Sequence, residues 1–219
     1  MVMDRMRECW IENCPGMEIV FEKELGLPDD RMPSLQILWL SKLSKLTTMC
    51  KMSREIRQEN FKSLKHLCLE YCPRLVNLDI SSSTLGGHFS SLETLEIRFC
   101  VRLKDAFAGQ YFGVEDHQVF LLPRLHTLHL WELSSLQSIV PHGVYLPGLK
   151  KICVRGSPKL QRLPVHLCKV SSSGGAKKEI RGELEWWKNL NWEADETIVK
   201  DNVNFIGWKP PNVKTLRRS

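Results

Sequence analysis

Between residues 64 and 72 the apolar positions follow a fixed rhythm. Leu64, Leu67 and Leu69 are separated by polar or small residues and Cys72 closes the unit, so LKHLCLEYC reads L-x-x-L-x-L-x-x-C. Alternate side chains of a strand share a face, which sends Leu67 and Leu69 one way and His66, Cys68 and Glu70 the other. Leu64 and Cys72 flank the strand, where the chain bends, and can turn to the leucine side. One such unit cannot bury its own apolar row. Copies of it have to stack alongside.

The chain supplies them. Residues 35–43 (LQILWLSKL), 92–100 (LETLEIRFC) and 125–133 (LHTLHLWEL) repeat the unit. Residues 149–157 (LKKICVRGS) do so with Ile and Val in leucine places, and 6–14 (MRECWIENC) fits more loosely through Met6, Cys9, Ile11 and Cys14. An apolar residue follows each unit at one offset: Met17, Leu46, Leu75, Leu103, Leu136 and Leu160. Flanking phrases recur too, as CPGM, CPRL, CVRL and SPKL after the strand and MPSL, FKSL, FSSL, LPRL and LPGL before it. Successive units start 24 to 33 residues apart, around the period of leucine-rich repeats, roughly 20–29 residues. The predicted fold is an α/β leucine-rich-repeat solenoid, a curved horseshoe. Its concave face carries a parallel β-sheet, and irregular loops and short helices cover the convex side.

Taken in order, residues 1–170 form the solenoid of about six irregular repeats. Nothing before Met6 could cover the apolar edge of the first repeat, and terminal repeats need a polar cover; the expectation is a chain that ends a longer array. The charged return over 51–60 allows a short convex-side helix, and AFAGQYFGVEDHQVF (106–120) reads as an enlarged loop. Residues 171–219 hold a flexible SSSGG break, a cap built on Trp186, Trp187 and Trp192, and a basic tail.

Composition narrows the function classes. The net charge of +6 over 219 residues is spread along the chain, which fits a solvated basic surface and not a nucleic-acid groove. Asp4, Arg5, Arg7 and Glu8 stand where a signal peptide would need an apolar run, and no stretch approaches the roughly 18 apolar residues of a membrane span. There is no N-x-S/T sequon. Cys14, Cys72 and Cys100 share one ladder position that wants small buried side chains, so reduced core thiols are expected. These features predict a cytoplasmic protein, with no nucleic-acid or membrane partner.

Motifs for catalysis are missing. The chain has no phosphate-binding glycine loop, dinucleotide fingerprint, zinc-protease, nucleophile-elbow or kinase pattern, and no C-x-x-C pair. His66, Cys68, His129 and Cys153 share the outward face, whereas Cys72 points inward, so a converging metal set is not expected. They are predicted to be ordinary surface histidines and cysteines. No enzyme activity, cofactor or metal is predicted.

What the ladder offers is a surface. The second, fourth and sixth residues after each start give three outward rows, which place Trp10, Trp39, His66, Glu70, Glu96, Arg98, His129, Trp131, Lys151 and Arg155 on the concave face. Trp and Arg dominate interface energetics, so these ten residues are the predicted protein-binding set. Charge is graded along the rows, from Glu8 and Glu12 to Lys151 and Arg155.

The irregular repeats with their C-P-x-L phrase, the MPSL, LPRL and LPGL lead-ins and the closing GELEWWKNLNWE resemble one family. It is the C-terminal leucine-rich-repeat region of plant nucleotide-binding leucine-rich-repeat disease-resistance proteins of the coiled-coil class. The resemblance implies a recognition module of innate immunity that binds pathogen effectors or guarded host proteins and restrains the nucleotide-binding domain of the same receptor. The family's phosphate-binding domain and coiled coil are not in this chain. A stand-alone repeat adaptor, such as the substrate-binding part of a ubiquitin ligase, is the alternative reading.

Overall fold

The computed structural model describes residues 5–22, 34–51, 61–79, 89–108, 119–141, 144–164, 177–192 and 202–208. Its main feature is one eight-stranded, all-parallel sheet. Six of its strands are the ladder strands: β1 (Glu8–Glu12), β3 (Ile37–Ser41), β5 (His66–Glu70), β7 (Thr94–Arg98), β10 (Thr127–Trp131) and β12 (Lys151–Arg155). They pair in that order, and every pair joins equivalent template positions, for example Trp10 to Trp39, Trp39 to Cys68, Cys68 to Glu96 and Glu96 to His129. The uneven repeat lengths are absorbed outside the strands.

The inward pairs Leu38/Leu40, Leu67/Leu69, Leu95/Ile97, Leu128/Leu130 and Ile152/Val154 are all buried. So are the flanking Leu35, Leu64, Leu92, Leu125 and Leu149. Each contributes about 1.5–3 kcal/mol by leaving water, and does so only because a neighbouring repeat covers it. In the first repeat the equivalents Met6, Cys9 and Ile11 are only partly buried.

One backbone device ends every ladder strand. Asn13, Lys42, Tyr71, Phe99, Glu132 and Gly156 occupy the same position and all take left-handed backbone, with φ between 51° and 60°. This sharp corner swings the next residue inward, so that Leu43, Cys72, Cys100, Leu133 and Ser157 are buried. Where that residue carries a thiol or hydroxyl, it donates back to the last strand carbonyl: Cys14 to Glu12, Cys72 to Glu70, Cys100 to Arg98 and Ser157 to Arg155. A tight turn follows, with the N–H groups of Met17, Leu46, Leu75, Leu103, Leu136 and Leu160 each donating to the carbonyl three residues earlier. That turn points the recurring apolar residue into the core. Left-handed backbone costs a residue other than glycine about 1–2 kcal/mol, a cost carried here five times.

On the far side of the core, the described residues of the returns form short parallel pairs. They are β2 (Ile19–Glu22) with β4 (Thr48–Lys51), β6 (Leu78–Asp79) with β8 (Phe107–Ala108), and β9 (Val119–Phe120) with β11 (Val144–Tyr145). The proposed convex helix at 51–60 falls, beyond Lys51, outside the described residues. So do the centre of the 106–120 insert, the SSSGG break and the basic tail.

The sheet runs further than the ladder. β13 (Lys178–Gly182) pairs with β12, and β14 (Val203–Gly207) pairs with β13, both parallel. Between them lies the only helix among the described residues, α1 (Leu184–Lys188). Gly182 stands where earlier repeats place Leu, Ile or Val, and Trp186 fills the space: a Cβ on Gly182 would lie 2.5 Å from the Trp186 ring. The Trp186 indole donates to the Leu160 carbonyl at 2.7 Å. Trp187 stacks on Phe205 and meets Trp192 edge-on.

Candidate protein-recognition face

The outward side chains of β1, β3, β5, β7, β10 and β12 stand in three straight rows, because the register is unbroken. Parallel neighbours lie about 4.8 Å apart, so large side chains in one row must stack or interleave. Trp10 stacks flat on Trp39, with ring centroids 5.0 Å apart and planes 2° from parallel. Trp10 is 64% exposed, whereas Trp39 and Trp131 are half-buried. The Arg98 guanidinium lies 4.4 Å from the Trp131 ring centre and 5.8 Å from that of Trp39. His129 stacks on Trp131, with ring centroids 5.7 Å apart.

Glu96 sits at the centre of this cluster and is only 8% exposed. Its carboxylate accepts from Arg98, and the ring nitrogens of His66 and His129 lie 3.3 and 3.8 Å away. His129, with Arg98 behind it, holds the Glu96 carboxyl at about 2, against the opposing effect of burial. His129 in turn is raised to about 9 by the Cys153 sulfur and the Glu96 carboxylate beside it. Glu96 therefore fixes the positions of the side chains around it.

Two further expectations are corrected here. Cys68 and Cys153 are not surface residues; both are buried although they point outward. Cys68 has Trp39 and Glu96 as row neighbours, and Cys153 has His129 and Arg181. Larger neighbours close over a small side chain in a row. Burial pushes the Cys68 thiol up to about 12, the opposite of what a nucleophile requires. Among the described residues no three His, Cys, Asp or Glu side chains are placed to share a metal.

The remaining predicted residues lie around the cluster. Glu70 is 3.5 Å from the Ser41 hydroxyl. Lys151 pairs with Glu179 of β13, which also binds Arg181, while exposed Arg155 pairs with Glu132. Glu179 and Arg181 extend the outward rows beyond the reach of the template. His66 Nε2 and His129 Nδ1 face the Glu96 carboxylate, while the enclosed Arg98 Nε and Trp131 Nε1 make no hydrogen bond among the described residues.

A sequence model described as plant disease resistance protein RPS2-like, leucine-rich repeats, matches residues 33–170. The chain belongs to this family. It is 31% identical over 161 residues, 73% of its length, to the putative disease resistance protein At4g19050 of Arabidopsis thaliana. It is 33% identical over 115 residues, half of its length, to the disease resistance protein RPS5, and 29% identical over 170 residues, 78% of its length, to the disease resistance protein At4g27190, both of the same plant. The chain spans only 12–16% of the length of these relatives. No solved structure matches it significantly. The RPS2-like repeats account for the irregular solenoid and make the chain a leucine-rich-repeat module of plant defence. No helix among the described residues is long and apolar enough to cross a membrane.

Proposed function

We propose that this RPS2-like repeat region is the recognition surface of a cytoplasmic immune receptor. Its outward rows engage a protein, either a pathogen effector or a guarded host protein, and restrain the nucleotide-binding domain of the receptor. The observation that carries this reading is the Trp39–Arg98–Trp131 cluster, where one guanidinium is held between two half-buried indoles on an otherwise regular sheet. Trp and Arg in partly desolvated pockets are the residues that anchor interfaces. Trp10 and His66 on the flanks, with Lys151 and Arg155 at the basic end, form the rim. The pre-arranged cluster loses little freedom on binding, since Glu96 and the ring stacks already fix its side chains.

In the receptor that carries this region, the Trp39→Ala, Trp131→Ala double variant is expected to accumulate normally. It should then either lose its response to the cognate effector or signal without one. A receptor that still responds only to its effector, with wild-type strength, would overturn the proposal.

A further inference from the structure

A second surface lies along the edge of the sheet, where the strands end. The left-handed corner of each repeat points its side chain away from the core, and the residue two positions on lies beside it. In repeats two to four these positions are Lys42 and Ser44, Tyr71 and Pro73, and Phe99 and Val101, which together line an open groove of about 450 Å³. Tyr71 and Phe99 stack with centroids 4.5 Å apart and planes 3° from parallel, and Tyr71 and Val101 are 45% and 44% exposed. Elsewhere in the ladder the corner holds Asn13, Lys42, Glu132 and Gly156. Asn and Gly suit left-handed backbone and aromatic residues do not. Tyr71 and Phe99 are thus held where the backbone disfavours them, without entering the core.

Charge identifies the occupant. The residue following each groove position is basic in the same three repeats: Lys45, Arg74 and Arg102. All three are exposed and make no ion pair among the described residues. The carboxylates nearby are engaged, Glu12 with Lys42 and Glu70 with the Ser41 hydroxyl. The corner N–H groups of Lys42, Tyr71 and Phe99 are already engaged, donating to the Glu70, Arg98 and Trp131 carbonyls.

We infer that this groove binds an acidic polypeptide segment, which seats an aromatic or aliphatic side chain against Tyr71 and Phe99 while its carboxylates meet Lys45, Arg74 and Arg102. This surface is separate from the Trp39–Arg98–Trp131 cluster and stands independently of its assignment.

The test uses the whole chain and three pools of short fluorescent peptides. In the first, Glu and Asp surround one Phe or Leu at every register; in the second that residue is Ala; in the third the acids are Lys. The first pool should bind at least about ten-fold more tightly than the others, and less tightly as salt rises. Tyr71→Asn with Phe99→Asn should abolish this binding while keeping or raising the thermal midpoint, because Asn13 already serves at the same corner. Arg74→Glu with Arg102→Glu should shift preference toward the Lys pool. Equal binding of the acidic and Lys pools, or binding that survives the Asn variant, would overturn the inference. A marked drop in the Asn variant's midpoint would make the aromatic pair structural and overturn it as well. Self-association of the wild-type chain that the Asn variant removes would give the groove to a second copy instead.

Discussion

Glu96 shows how much one side chain sets on this face. Its carboxyl is held near 2 in the folded chain, against an ordinary value of 4.5. Between these values the unfolded chain takes up more protons, so Glu96 adds stability above pH 4.5 that is lost as the pH falls toward 2. His129 works in the opposite direction. Raised from 6.5 to about 9, it stabilises the fold below pH 6.5, and that contribution disappears as the pH rises through 9. Urea midpoints should therefore be highest between about pH 4.5 and 6.5 and fall on both sides; a flat profile would contradict the cluster. Glu96→Gln should cost about 1–3 kcal/mol near neutrality and remove most of the acid limb. A loss below about 0.5 kcal/mol, the usual range of ordinary surface changes, would mean the carboxylate is not buried as described. None of this burial was legible from the pattern. The template says which way a residue points, and Glu96, Cys68 and Cys153 do point outward, but their exposure depends on the size of neighbours one strand away. The left-handed corners were equally hidden, since Tyr, Phe, Lys and Glu carry no signal for such backbone.

At the level of elements, the six ladder strands were readable to the residue, because each pairs through the template positions that define it. The returns and the last two strands were not. In β13 the template places hold Lys177, Ile180 and Gly182 where leucines should be, and only Ile180 is apolar and buried. The missing bulk comes from outside the strand, when Trp186 of α1 folds over Gly182. A residue that looks like a separate cap is in effect the inward side chain of the next repeat. Gly182→Ala should push the Trp186 ring away and destabilise the chain by about 1–3 kcal/mol, the range for overpacking, with a change in tryptophan fluorescence. Trp186→Ala should cost about 3–5 kcal/mol. If either variant is as stable as the parent, the continuation of the sheet through β13 is wrongly assigned.

As a whole molecule the chain is a stack in which each repeat is covered by its neighbours, so stability is shared and positional. Leu95→Ala in the central repeat, buried on both sides, should cost about 2–5 kcal/mol. Ile11→Ala in the half-covered first repeat should cost clearly less by urea denaturation, and equal losses would argue against a solenoid. The same stacking makes the open face one continuous surface. Unbroken register brings three scattered residues, Trp39, Arg98 and Trp131, into one cluster, and spreads charge from acidic at Glu8 and Glu12 to basic at Lys151 and Arg155. The most direct test of this account is the affinity of the chain for the nucleotide-binding portion of the receptor proposed to carry it. It should be compared for the parent, the Trp39→Ala, Trp131→Ala variant and a Lys150→Ala control outside the three rows. The account predicts that the double variant binds at least about ten-fold more weakly, with an unchanged thermal midpoint and an unaffected control. Equal affinity for all three chains would contradict the claim that the outward rows of the sheet are the recognition surface.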